Sequence, residues 1–91
     1  VDDDVYNAIM YHTTGKPDMT LLEKIIYLAD YIEPTRDFPG VEALRRTVYE
    51  DLDRGLLMGL TMTIDEMEEM GNPVHYMTRD ARDYLMKRGI S

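Results

Sequence analysis

The run LLEKIIYLADYIEP, Leu21 to Pro34, decides the fold. Leu22, Ile25, Ile26, Ala29 and Ile32 follow one another along one stripe at helical spacing, which is the period of a helix face and not of a strand. Thr20 and Glu23 stand at capping-box spacing at its start. Pro34 stops it, since proline supplies no N–H and crowds the turn before it. Asp30 lies at the margin of this apolar face. A charged side chain close to a core is costly unless an arginine, a helix N-terminus or a metal ion pairs with it, so Asp30 is a site candidate.

The same reasoning extends in both directions. A first helix is expected over about 4–13, with Asp2 to Asp4 near its positive end and Val5, Ile9 and His12 or Thr13 at helical spacing; Gly15 and Pro17 end it. Thr35 to Gly40 forms a loop held by Pro34, Pro39 and Gly40. A third helix is expected over about 41–49 and a fourth over about 52–70, with the break falling near Glu50 and the end at Gly71, Asn72 and Pro73. The last begins with Thr78 as its N-cap and ends near Arg88, where Lys87 and Arg88 suit the negative helix end. No stretch alternates long enough for a strand. The expected class is all-α, a helical bundle of about five helices.

Ninety-one residues make one domain at most, and a chain of that size buries only about 60 to 65% of the surface it exposes when unfolded. Eighteen acidic against ten basic residues give a net charge of −8, which argues against DNA, RNA or an anionic membrane as partner. A phosphate ligand needs local help, such as a divalent cation that reverses the field within a site. The absence of cysteine excludes disulfides and thiolate metal sites. No signal-peptide pattern is present, so a cytoplasmic location is the default. A homo-oligomer stays open.

Several segments together resemble a known family. They are YHTTGKP (Tyr11 to Pro17), the Asp30 helix, TRDFPGVE (Thr35 to Glu42), YEDLD (Tyr49 to Asp53), the Pro73 to His75 element and the Thr78 to Arg82 segment behind it. In order and spacing they are similar to the second half of the YqeK-type HD-domain phosphohydrolases, bacterial enzymes that cleave diadenosine tetraphosphate symmetrically. One departure stands out. The adjacent His-Asp pair that names the superfamily is missing, because Thr13 follows His12 and Tyr76 follows His75. The resemblance therefore implies the C-terminal part of a single HD domain whose front half precedes Val1. Part of the apolar surface is then expected to face that front half and to lie exposed here.

The resemblance implies a catalytic divalent metal, iron first with manganese or cobalt as alternatives, for which Asp30 completes the ligand set. It also implies that His12, Thr13 and Arg36 contact substrate phosphates. Tyr76, Met77, Thr78, Arg79, Asp80 and Ala81 are implied to contact the nucleoside diphosphate half of a dinucleoside polyphosphate substrate. Read from the residues alone, each has a plainer alternative. Asp30 fits a helix-edge salt bridge, and Arg36 fits a pairing with Asp37 or Glu33. His12 fits a metal ligand, a phosphate donor or a helix cap. If its helix runs antiparallel to the next, His12 falls on the order of 10 Å from Asp30, which favours phosphate over a shared metal.

Other patterns fail on inspection. DLDRG at Asp51 to Gly55 lacks the glycine and glutamate of a calcium loop, since Leu56 and Met62 hold those places. Gly55 and Gly59 are expected to serve close helix packing, and the methionines of the fourth helix to fill core. The readings that compete with a hydrolase of diadenosine tetraphosphate are a non-catalytic acidic interaction domain and an HD hydrolase of another nucleotide.

Overall fold

The structure, a computed structural model, describes residues 14–90. Within them the chain is all-helical: α1 Leu21–Ile32, α2 Val41–Glu50, α3 Leu52–Glu69 and α4 Tyr76–Lys87. The helix expected over 4–13 lies outside the described residues. Helix α3 is the centre of the arrangement: it touches each of the other three, whereas α4, among the described helices, packs on α3 and otherwise on the segment before α1. No helix among the described residues is long and apolar enough to cross a membrane.

The start of α1 follows the sequence. The Thr20 hydroxyl accepts from the Glu23 N–H at 3.2 Å, and Glu23 Oε1 accepts from the Thr20 N–H at 2.7 Å. The other Glu23 oxygen meets Lys16 Nζ at 3.0 Å. Glu23 is only 2% exposed. Burial alone would push its carboxyl up, but the Thr20 N–H, the Lys16 ammonium and the Thr20 hydroxyl together hold it below its ordinary value of 4.5. The sign of the linkage follows from that direction. Stability from this carboxylate is fully present above the unfolded value and is lost as pH falls through the lower folded value. Urea denaturation across pH 3 to 7 is expected to show this loss, and Glu23→Gln is expected to flatten it while costing roughly 1 kcal/mol near neutrality through the weakened cap. An unchanged acid limb in the variant would count against the assignment.

The inner face of α1 is not the stripe that periodicity suggests. Glu23, Tyr27 and Leu28 are the buried positions, whereas Leu21, Ile25 and Ile26 are 65, 47 and 36% exposed and Ala29 is exposed as well. The reason is that α1 is apolar on two sides, and α3 accepts the Tyr27 and Leu28 side. A Cβ on Gly59 of α3 would stand 3.2 Å from Leu28 Cδ2. Exposed apolar area is present on α1, and Tyr49, Met70, Tyr76 and Met86 are exposed as well.

The break near Glu50 falls at Asp51. Its N–H donates to Thr47 O at 2.8 Å and closes α2, while its Oδ1 accepts from the Asp53 and Arg54 N–H groups at 3.1 and 3.2 Å and opens α3. One residue thus ends one helix and caps the next. At the other end of α2, Gly40 takes a φ of 93°, a left-handed turn that suits glycine. The core combines Tyr27 and Leu28 with Leu44, Leu56, Leu60 and Ile64, all at most 1% exposed, and with Ala81 and Leu85 of α4. The α3 methionines do not fill it. Met58, Met62 and Met67 are half-buried and Met70 is 65% exposed, because the leucines and glycines of α3 take the innermost positions.

Helix α4 starts earlier than expected. His75 is its N-cap, with Nδ1 accepting from the Met77 N–H at 3.1 Å, and Thr78 lies inside the helix at 3% exposure. The correction has a local cause. His75 has extended backbone, and an imidazole nitrogen in the acceptor state does what a hydroxyl or carboxylate oxygen does at other caps.

Candidate functional site

Asp30 sits in the last turn of α1, on the border between the outward apolar stripe and the inward Tyr27–Tyr31 face. It is exposed and has no hydrogen bond or ion pair among the described residues. The expectation of a carboxylate held close to a packed core is therefore not met within residues 14–90, nor is the salt-bridge alternative. The residue beside it is fixed: Tyr31 Oη and Thr63 Oγ1 are 2.6 Å apart, and Thr63 also donates to Gly59 O at 3.0 Å. Tyr27 packs against Tyr31 with ring centroids 5.4 Å apart. Burial raises the Tyr27 hydroxyl well above the usual phenol range, with Tyr31 adding to the shift, so it stays neutral.

Beyond α1 the chain turns sharply, with the Arg36 N–H donating to Glu33 O at 3.0 Å. The Arg36 side chain is exposed, and its guanidinium has no ion-pair partner among the described residues. Glu33 instead accepts from the Thr35 hydroxyl. This loop is tied down from α2. Arg45 donates from Nε to Ile32 O at 3.0 Å, and from Nη2 to Glu33 O at 2.9 Å and to Arg36 O at 2.8 Å. Its Nη1 pairs with Glu42.

A groove of about 630 Å³ runs between this loop and the C-terminal half of α3, lined among others by Tyr31, Arg36, Phe38, Thr63, Asp65 and Glu66. Asp37 and Glu69 bring its carboxylates to four against one guanidinium. A polyphosphate would be repelled there unless a cation accompanied it.

The start of α4 is less free than a bare helix end. The Met77 N–H is taken by His75 Nδ1 and the Thr78 N–H by His75 O, at 3.0 Å. Tyr76 is 68% exposed and stacks on His75 at 4.8 Å. Met77 is half-buried and Asp80 exposed, and Arg79 pairs with Glu68 of α3 at 3.0 Å. Thr78 and Ala81 turn into the core at 3 and 1% exposure, so their side chains are not available to a ligand. His12 and Thr13 lie outside the described residues.

The described residues do not by themselves make a metal centre, since no group of three His, Asp or Glu side chains among them converges. Asp30 is one exposed oxygen ligand among several, and it suits a hard or borderline divalent cation only if further donors come from elsewhere.

The helices match a known class. A solved structure described as a predicted HD superfamily hydrolase involved in NAD metabolism, from Clostridium acetobutylicum, superimposes with a TM-score of 0.93 at 53% identity, over 97% of this chain and 47% of that one. The chain thus has the all-helical fold of HD superfamily hydrolases. Proteins named symmetrical bis(5′-nucleosyl)-tetraphosphatase are its homologues: 50% identical over 74 residues in Halalkalibacterium halodurans, 48% over 73 in Bacillus subtilis and 39% over 85 in Staphylococcus aureus. These matches cover 81, 80 and 91% of this chain. They span 40, 39 and 44% of the relatives' own lengths. No family model matches the chain.

Arg45 is the residue that reading the sequence misses. Its partners are nine to thirteen positions upstream, and locally it shows only a helical pairing with Glu42.

Proposed function

We propose that the protein to which this chain belongs hydrolyses diadenosine tetraphosphate symmetrically to two ADP, and that the chain is the C-terminal part of its single HD domain. The observation that carries this reading is the 48 to 50% identity to proteins named for that reaction. Two unengaged side chains of opposite charge support it, Asp30 at the end of α1 and Arg36 in the loop that follows. In the reaction, water oxygen bonds to one of the two central phosphorus atoms, and the oxygen bridging them leaves with the other ADP.

Asp30 supplies one ligand to a divalent cation, iron with manganese or cobalt as alternatives. Such an ion, when bound, lowers the pKa of water from about 15.7 to near 7 and neutralises charge on phosphoryl oxygens. Arg36 presents a planar fork of N–H donors to a phosphate, a geometry that matches two oxygens at once. His12 and Thr13 are assigned to phosphate as well. At the nucleoside diphosphate half, Tyr76 offers an exposed ring, and Met77, Arg79 and Asp80 surround it, while Thr78 and Ala81 serve by packing this helix start on α3. The reaction is assigned to the cytoplasm.

The test is product analysis on the full-length protein. ADP is expected as the sole product, with activity lost on chelation and regained with iron, manganese or cobalt; ATP plus AMP, or no turnover, would reject the proposal. The 91 residues alone are expected to give no turnover, for want of the remaining metal ligands. The description of the Clostridium relative favours a second reading in which the nucleotide differs. Assaying dinucleoside tetraphosphates beside NAD and its breakdown nucleotides separates the two.

A further inference from the structure

We infer that Arg45 is the positioning residue for Arg36, holding the loop after α1 in the shape that presents the Arg36 guanidinium to phosphate; this rests on the reading of Arg36 given above. Helix α1 ends with unsatisfied carbonyls and has no basic residue in its last turn. A cation there is favourable, both for the carbonyls and for the negative end of the helix. Arg45 supplies it from α2. Its Nε and Nη2 donate to the carbonyls of Ile32, Glu33 and Arg36 within 3.0 Å. Its remaining edge is occupied by Glu42, and its side chain is only 26% exposed.

The contact to Arg36 differs from the other two. Ile32 and Glu33 belong to the helix end, and binding them is ordinary capping. Arg36 lies past the turn, and its backbone is gripped on both sides, by Glu33 O at its N–H and by Arg45 at its carbonyl. Its side chain meanwhile is exposed and unpaired among the described residues. A fixed backbone under a free guanidinium is a pre-organised donor, since the cost of ordering the loop is met on folding rather than on binding. Only a planar fork reaches three carbonyls in this arrangement. A lysine ammonium is a point charge on a flexible stem and cannot span them.

The experiment uses the full-length enzyme and three variants, Arg45→Lys, Arg36→Ala and the double variant, with KM, kcat and bound metal measured for each on diadenosine tetraphosphate. Arg45→Lys is expected to raise KM by about five- to tenfold, the scale of one side chain that must now be ordered on binding. Its kcat and metal content are expected to stay within about twofold, because Asp30 sits on the helix rather than in the loop. In the Arg36→Ala background the Arg45 substitution is expected to add nothing further to KM, a coupling that a merely destabilising change would not produce. Should Arg36→Ala raise KM while Arg45→Lys leaves it unchanged, or should the two effects multiply in full, the positioning role is overturned and the phosphate role of Arg36 stands. Should Arg36→Ala itself leave KM unchanged, the phosphate reading fails and takes the positioning role with it.

Discussion

Asp30→Ala in the full-length protein is expected to lower the hydrolysis of diadenosine tetraphosphate by about 10³-fold or more, the scale on which loss of a charge-stabilising group at a reacting phosphoryl centre is felt. The position makes the outcome easy to interpret. Asp30 is exposed and touches no polar partner among the described residues, and a surface substitution away from caps and core moves stability by no more than about 0.5 kcal/mol. Activity should therefore fall without a fall in melting temperature, and the metal bound per chain should fall with it. Asp30→Asn, which keeps the size and one oxygen but removes the charge, should come close to the alanine variant. Full activity and full metal content in either variant would remove Asp30 from the site.

Gly55→Ala is expected to cost about 3 kcal/mol or more, at the upper end of what overpacking does. A Cβ at Gly55 would stand 2.5 Å from Val48 Cγ2, 2.6 Å from Val48 Cα and 2.9 Å from Val48 N. Two of those three atoms are backbone, so no rotamer change relieves the clash, and α2 and α3 cannot draw apart where Asp51 joins them without a linker. The loss should appear even though alanine is the better helix former by about 1 kcal/mol. Gly59→Ala is the control. Its nearest neighbour is the tip of Leu28 at 3.2 Å, which can shift, so it should cost far less. Urea or thermal unfolding of the two variants side by side decides the matter, and equal stabilities would refute the close approach of α2 and α3.

Legibility in the sequence tracked the range of the interaction. The Thr20–Glu23 capping box, the stop at Pro34 and the loop to Gly40 depend on residues within a few positions of one another, and each appears where the sequence puts it. The inner face of α1 was not legible, because periodicity finds an apolar stripe but cannot say which of two stripes meets α3. Thr78 has the side chain of a good cap and is used as packing, while His75, a less usual cap, does the capping. In the sequence Asp30 reads as a charge close to a core, but the carboxylate is exposed among the described residues, so its candidacy rests on the family. Arg45 could not be found at all, since nothing near it in sequence announces three distant carbonyls.

The junction at Asp51 has a consequence for what lengths the chain tolerates. With no spare residue between α2 and α3, an insertion or deletion of one residue there would turn all of α3 by about 100° about its axis relative to α2. Gly55, Leu56 and Leu60 would rotate off the interior together, and the groove wall built by Thr63, Asp65 and Glu66 would swing away from the Arg36 loop. Between α3 and α4, by contrast, a spacer of residues 70–75 lies outside either helix, and an added residue can be taken up there without turning α4. Natural variation in length should therefore collect at that spacer and be absent from the residues flanking Asp51.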